Sequence, residues 1–180
     1  MIMIDVGDFF LVEPSEIYAE QIREYRQDFL DTNCSMDGCG PLRKCEDPFT
    51  YISECEKCTA QDNLPEGLVI ATQFFYVRKA DNRLVGMIQV RHYFNDYLSK
   101  FGGHIGYSIR PSERRKGYAT SMLNAILPYC REIGLDKLLI TCIDGNIGSE
   151  KTIRNNGGVY ESTVYESGKN CGLKRFWITL

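Results

Sequence analysis

The residues best suited to chemistry lie in one short segment, positions 110–119, which reads Arg-Pro-Ser-Glu-Arg-Arg-Lys-Gly-Tyr-Ala. Three consecutive cations, Arg114, Arg115 and Lys116, precede a strongly patterned helix. Cations at a helix N-terminus oppose the positive end of the helix dipole, at a cost of about 0.3–1 kcal/mol each when exposed. Because the free amides of a first helical turn already form an anion site, the segment predicts a phosphate-binding cradle.

The small residues of this segment support the same interpretation. Gly117 lets the backbone approach a diphosphate closely, since a Cβ would intrude, and Ala119 is small for the same reason. Arg115 offers paired hydrogen bonds to a phosphate, whereas Lys116 acts as a point charge. The alternative is a capped surface helix with solvated cations, which leaves the unfavourable placement of those cations unexplained.

Composition limits the class of protein. The 180 residues suit one domain with a substantial core, and 43% apolar with 25% charged residues is ordinary globular composition. The net charge of 21 minus 24, or -3, supplies no general basic field for nucleic acid. The N-terminus lacks the basic flank and apolar run of a signal peptide, and no apolar run is long enough to span a bilayer. We therefore expect a cytoplasmic protein that binds neither nucleic acid nor membrane.

Eight cysteines need an interpretation, because five of them lie between positions 34 and 58. Disulfides are not expected without secretion. Cys55 and Cys58 form a CxxC pair, but a structural zinc site usually needs two paired ligand sets at regular spacing. We expect free thiols and no metal. A metal-dependent interaction module built on this segment is the alternative.

Hydrophobic periodicity and turn residues predict the elements that position the cradle. The expected strands are 8–12, 71–79, 84–92, 104–109, 137–143, 159–166 and 173–180. The expected helices are 16–31, a weaker one over 49–59, one from the cradle to Gly134 with a kink at Pro128, and a short one from Asn146 or Asp144 to about 155. The order predicts a mixed sheet with helices on its faces.

The chain has, in this order, a strand, the sequence Arg-x-x-Gly-x-Ala, a long amphipathic helix, a strand and a helix that starts at an Asn. This order resembles the GCN5-related N-acetyltransferase superfamily. Its hallmark loop, Gln/Arg-x-x-Gly-x-Gly/Ala, matches positions 114–119, and the element order matches over one domain of roughly 8–180. The resemblance implies an α/β (mixed α+β) fold with a largely antiparallel, twisted sheet of about seven strands and helices on both faces.

The resemblance also implies the reaction. It implies an enzyme that moves an acetyl group from acetyl-CoA to a primary amine by direct transfer in a ternary complex. A CoA-binding module that has lost catalysis is the alternative, because an expected catalytic tyrosine is missing.

Cofactor contacts are implied along the strand before the cradle and on the two following helices. The pantetheine arm pairs with that strand as an added strand does. Asn146 matches a side-chain contact to the arm, and Ser149 matches the small residue one turn later, although Asn146 also suits a simple helix cap. The predicted cofactor-binding residues are Ser108, Ile109, Arg114, Arg115, Lys116, Gly117, Tyr118, Ala119, Thr120, Asn146 and Ser149.

Catalytic groups are less clearly marked. The acid that the family often supplies, a tyrosine seven residues after the helix Asn, is Ile153 here, and a glutamate used in some ribosomal-protein acetyltransferases falls near Thr141. Another branch carries Glu-Ile-Gly-Tyr where this chain has His104-Ile-Gly-Tyr, so His104, with an ordinary pKa near 6.5, is the predicted base. Tyr160 is the predicted acid, with Tyr118 or water as the alternative.

A transition-state donor and an acceptor site are implied as well. A backbone amide near Ile109 or Arg110 would stabilise the oxyanion. The acceptor site is implied between segments 15–62, 93–103 and 160–172. Their carboxylates and aromatic rings would attract a cationic amine, and a solvated polar face is the alternative. These residues are Asp28, Asp31, Asp37, Glu46, Asp47, Asp96, Tyr93, Phe94 and Tyr97. We expect a small-molecule or peptide amine as partner, and the sequence leaves a homodimer open.

Overall fold

An eight-stranded sheet organises the chain in the computed structural model, which describes residues 2–180. The strands are β1 (Met3–Val6), β2 (Phe9–Val12), β3 (Ala71–Arg78), β4 (Arg83–Arg91), β5 (Ile105–Ile109), β6 (Lys137–Ile143), β7 (Val159–Glu166) and β8 (Cys171–Thr179). Their spatial order is β1-β2-β3-β4-β5-β6-β8-β7, and every neighbouring pair is antiparallel except β5 with β6. The predicted largely antiparallel mixed sheet is confirmed.

The strand that sequence reasoning missed is β1. It pairs with β2 across a turn at Gly7, whose φ is +62°, and so lies ahead of the expected start at residue 8. Four residues on an outer strand, with alternating intermediate and exposed side chains, give little periodicity to detect.

Four helices cover the sheet. They are α1 (Ala19–Asp31), α2 (Pro48–Lys57), α3 (Tyr118–Glu132) and α4 (Ile147–Asn155). The first turn expected at residue 16 is a 3-10 turn, and α1 begins after it. Helix α2 begins at Pro48 because the Asp47 carboxylate accepts a hydrogen bond from the Thr50 amide at 2.8 Å. No helix within residues 2–180 has the combined length and apolar character needed to cross a membrane.

The two faces of the sheet carry separate apolar cores. One packs α3 and α4 against the sheet through residues such as Ile126, Ile140 and Ile153. The other packs α1 and α2 against it through residues such as Phe29 and Phe75. The helices are therefore held on both faces, as predicted, and we name the faces after the helices that cover them.

The parallel pair β5 and β6 separates almost as soon as it forms. The two strands share one registered pair, Ile105 with Ile140. By contrast, β5 pairs with β4 over five residues and β6 pairs with β8 over seven. Beyond Ile105, the outer edge of β5 therefore faces a gap in the sheet.

The cysteine-rich segment between α1 and α2, residues 34–45, packs on β5 and is named the Cys loop here. A Cβ on Gly38 would lie 2.2 Å from the carbonyl carbon of Gly106. The Cys39 Sγ lies 3.0 Å from the Ser108 Oγ, and the Gln73 amide donates to the Gly38 carbonyl at 2.9 Å. All eight cysteines are free thiols, and no group of three or more His, Cys, Asp and Glu residues in the described part of the chain is placed to hold a metal.

Gly38→Ala is expected to destabilise the protein by about 2–4 kcal/mol, because the methyl group would collide with β5 and the position has a φ of +72°. Urea unfolding followed by fluorescence measures this loss. Gly168→Ala is the matched control, since a Cβ there meets nothing within 4 Å. Equal stability of the two variants would show that the Cys loop does not rest on β5.

Candidate functional site

The gap between β5 and β6 presents backbone amides of β5. The Arg110 amide donates to the Val85 carbonyl at 2.9 Å, and in an antiparallel ladder alternate residues point to opposite sides. The amides of Tyr107 and Ile109 therefore point away from β4 and into the gap. Of the two oxyanion donors expected from the sequence, the Arg110 amide is already bonded, which leaves Ile109.

The N-terminus of α3 lies beside the end of β5 and is open to solvent. The first backbone bond of α3 is donated by Ser121 to the Gly117 carbonyl at 3.1 Å, so the amides of residues 118–120 precede it and lack a helical partner. Gly117 has a φ of +81°, and a Cβ there would meet no atom within 4 Å. No steric contact within the chain therefore requires a glycine at position 117; the positive φ favours it. The open space and the unbonded amides suit an anion.

The three cations of the cradle have different partners. The Arg114 Nε donates to the Ile109 carbonyl at 3.1 Å, and its Nη1 lies 3.4 Å from the Cys34 Sγ. The Lys116 Nζ lies 2.8 Å from the Glu113 carboxylate. Arg115 is exposed and makes no hydrogen bond or ion pair with the described residues. Arg114 therefore fastens the loop to β5, while Arg115 keeps its charge available.

Two buried charges fix the segment that carries the cradle. Burial alone raises the pKa of Glu113, but hydrogen bonds from Lys116 and Arg78 outweigh it, and the pKa lies below its usual value. Arg110 is 1% exposed and pairs with Asp28 of α1 at 3.3 Å. Both ends of the 3-10 turn Pro111–Glu113 are thus held by ion pairs.

Helix α4 faces the other side of the gap. The Asn146 Oδ1 accepts a hydrogen bond from the Ser149 amide at 3.1 Å, so Asn146 caps the helix. The Ser149 Oγ lies 2.8 Å from the hydroxyl of Tyr107, whose side chain reaches from β5 to α4. Burial raises the pKa of Tyr107 to about 12, so this hydroxyl keeps its proton at neutral pH. The site therefore joins an anion cradle, an open strand edge and a protonated phenol.

The model of the Acetyltransferase (GNAT) domain family matches residues 34–159, which is most of the chain. The chain belongs to the GNAT acetyltransferase family. This confirms the resemblance read from the cradle and from the element order.

Individual relatives agree with the family. The protein named uncharacterized N-acetyltransferase YnaD of Bacillus subtilis is 30% identical over 88 residues, 48% of this chain and 49% of that one. The chain thus matches about half the length of this curated relative.

Solved structures match over nearly the whole chain. RimL, a ribosomal L7/L12 alpha-N-protein acetyltransferase in complex with coenzyme A, superposes with a TM-score of 0.73 at 13% identity, over 99% of this chain and 98% of that one. Mycobacterium smegmatis RimJ in complex with CoA-disulfide gives 0.72 at 17% identity, over 99% and 86%. Likeness at these identities shows the GNAT fold.

His104, the predicted base of this GNAT domain, lies where β5 meets β6. Its own amide donates to the Leu139 carbonyl at 2.7 Å, and its Nδ1 accepts from the Leu139 amide at 3.0 Å. With Nδ1 accepting, the neutral ring carries its hydrogen on Nε2. Burial, with a smaller contribution from Arg91, lowers the pKa of His104 to about 4. In this arrangement neither ring nitrogen is free to accept a proton.

Tyr160, the predicted acid, is not brought to the gap. It lies on β7, the outer strand, and β8 separates β7 from β6. Neighbouring strands are about 4.8 Å apart, so Tyr160 lies roughly 10 Å beyond β6. Tyr160 is 45% exposed, and its hydroxyl lies 2.9 Å from the Thr163 Oγ1.

Of the other predicted cofactor residues, Tyr118, Ala119 and Thr120 lie at the start of α3, whereas the Ser108 side chain is turned away from the gap. The Ser108 Oγ is buried near Tyr25 of α1, on the face opposite Tyr107. Tyr118 packs edge-on to Phe9, and Ala119 packs against the apolar core of the α3/α4 face. The Thr120 carbonyl accepts from the Asn156 amide at 3.2 Å, which ties α3 to α4.

Sequence reasoning missed Tyr107 as a functional candidate. A usable signal was its alternation with Ser108, because neighbouring strand residues face opposite sides of the sheet. A cleft of about 480 Å³ between residues 13–16 and α2 also went unnoticed. Gln73 of β3 is among its lining residues, and none of the residues placed around the gap lines it, so this cleft is not part of the gap.

The ring of His104 is expected to titrate near pH 4, because the buried imidazole is held neutral. Its folded pKa lies below the ordinary 6.5, so the stability it contributes is full above pH 6.5 and is lost as the pH falls towards 4, by at most about 3 kcal/mol. NMR titration of the ring carbons measures the midpoint. His104→Asn keeps an acceptor for the Leu139 amide but does not titrate. It assigns the resonance, and its stability should fall less than that of the wild type between pH 6.5 and 4. A wild-type midpoint near 6.5 would contradict this placement.

Proposed function

We propose that this protein transfers an acetyl group from acetyl-CoA to a primary amine on a peptide or small molecule, by direct attack in a ternary complex. One domain, residues 8–180, carries the reaction, with β1 added to its sheet edge. The observation that supports the proposal most is the gap beyond Ile105, which runs alongside β5 to the amide-rich N-terminus of α3.

The residues around this gap fit a thioester carrier. The amides of residues 118–120, with Arg115 and Lys116, suit a diphosphate. The amides of Tyr107 and Ile109 suit an extended arm that adds to the strand edge, and Asn146, at the start of α4, stays the predicted side-chain contact to that arm. When bound, acetyl-CoA supplies the activated acetyl group. The chain itself has to position the thioester and the amine and to move the protons.

The class of amine that accepts the acetyl group is inferred from the likeness to RimL and from the space beside β5. RimL acts on the alpha-amine of a ribosomal protein, and this chain superposes on it over nearly its full length. A peptide N-terminus is therefore the first acceptor to test among primary amines. Small amines are the alternative, because the Cys loop narrows the α1/α2 face of β5.

Tyr107 supplies the leaving thiolate with a proton in this proposal. Its hydroxyl lies at the gap, its pKa of about 12 keeps it protonated, and Ser149 orients it. This replaces Tyr160, which lies on the outer strand. Solvent removes the amine proton, and His104 is the alternative base if its bond to Leu139 breaks.

A second candidate is a CoA-binding module without catalysis. The observation that favours it is Ile153, a fully buried apolar residue at the position where the family often places its acid. Binding of coenzyme A without turnover of any amine supports the module. A coupled thiol-release assay over peptide N-termini, polyamines, aminoglycosides and amino acids separates the two candidates, and activity on any of them removes the module.

Arg115→Gln is expected to weaken coenzyme A binding about 3–10-fold, because it removes an unpaired cation from the anion cradle. Titration calorimetry measures the dissociation constant. Arg131→Gln, at the opposite end of α3, is the control and should leave it unchanged. Absence of saturable binding by the folded wild type would overturn the proposed function.

Tyr107→Phe is expected to lower kcat about 100-fold while leaving coenzyme A affinity within twofold, because it removes only the donated proton. The thiol-release assay with the best acceptor of the panel gives kcat. Tyr160→Phe is the control and should keep full activity. If Tyr160→Phe is the impaired variant, the acid lies on β7 and the assignment to Tyr107 is wrong.

A further inference from the structure

A buried carboxylate lies where the end of β7 meets the segment after β4. The Glu166 side chain is 8% exposed, and the Tyr97 hydroxyl donates to its Oε1 at 2.7 Å. Its Oε2 is buried and has no hydrogen-bond partner among the described residues. A buried carboxylate oxygen without a donor is costly, so this side chain points to a cation that binds there.

The chain places its own lysine at this carboxylate, but loosely. The Lys169 Nζ lies 3.6 Å from the Glu166 Oε2, which is too long for a hydrogen bond, and its side chain is 58% exposed. The same Nζ lies 5.7 Å from the centre of the Tyr97 ring. A carboxylate beside an aromatic face is a cation site, and the present occupant is held weakly enough to be displaced.

The surroundings keep this occupant charged. The neighbouring Tyr97 hydroxyl raises the pKa of Lys169, and the charges of Glu166 and Asp37 act in the same direction. Asp37 precedes Gly38, which rests on β5. Any group that replaces the ammonium of Lys169 therefore meets a negative field and keeps its own proton.

Glu166 pairs with Cys171 of β8, which faces away from Phe176 of the α3/α4 core, so the site lies on the α1/α2 face, opposite Tyr107 and α4. The turn Leu98–Gly102, which follows Tyr97, is fixed over the gap because the Thr141 hydroxyl of β6 donates to the Phe101 carbonyl at 2.7 Å. The side chain of Arg175 also donates to the Ser99 carbonyl at 2.8 Å. The cation site is thus held beside the gap, on the face that the proposed cofactor does not use.

We propose that Glu166 and Tyr97 bind a second cationic group of the acceptor, and that Lys169 occupies this site when no acceptor is present. The reacting amine must lose its proton, whereas this site favours a charged group, so the two amines are different ones. The acceptor class is therefore an amine that carries a further positive charge, such as a diamine or a peptide with a basic residue near its N-terminus. This inference rests on the proposed function.

The experiment measures binding and needs no turnover. Diamines of three to eight carbons and the monoamines of the same lengths are titrated calorimetrically into the protein saturated with coenzyme A. The wild type should bind the best diamine at least fivefold more tightly than its matched monoamine. Lys169→Gln should tighten diamine binding at least threefold, because the internal competitor is gone, and Lys151→Gln is the control. Glu166→Gln should abolish the preference.

Three results would overturn the inference. They are equal affinities of diamine and monoamine in the wild type, weaker diamine binding in Lys169→Gln, and a preference that survives in Glu166→Gln. Lys169→Gln alters an exposed loop residue, so it keeps the test decisive even if Glu166→Gln fails to fold. Coenzyme A affinity, measured in the same titrations, reports separately on the proposed function.

Discussion

One feature of the sheet constrains the rest of the molecule: the parallel strands β5 and β6 share a single registered pair, Ile105 with Ile140. Each strand is fully paired on its other side, so the gap arises without loss of the remaining ladder. His104 closes the narrow end, because both its backbone and its ring bond to Leu139. An imidazole that stays neutral is well suited to this position, since a charged ring there would lie buried beside Arg91.

Two buried charged side chains, Arg110 and Glu113, hold the cradle in place through partners that are partly exposed. Arg110 ties the end of β5 to α1, and Glu113 gathers Arg78 and Lys116 under the loop. Buried pairs add little net stability, but removing one partner leaves an expensive uncompensated charge. The geometry of the anion site therefore depends on Arg110 and Glu113, which do not themselves face the anion.

The sequence predicted the parts of the site that are local. The apolar spacing predicted helix α3, and the glycine after the cations indicated the loop of residues 114–117. Both signals lie within a few residues of the chain. The contact of Tyr107 with Ser149 and that of Tyr97 with Glu166 join segments 42 and 69 positions apart, and no spacing rule relates them. Tyr160 looked near the gap because β7 follows α4 along the chain, whereas β8 is inserted between β7 and β6.

The contact between Gly38 and Gly106 has a consequence for how this sequence can change over time. The backbone of each glycine occupies the space that a Cβ on the other would need, since a Cβ on Gly106 would lie 3.0 Å from the Gly38 Cα. A larger residue at either position is tolerated only if the Cys loop shifts as a whole. In an alignment of descendants, these two columns should vary together, and a lineage that loses one glycine should have remodelled the entire segment between α1 and α2.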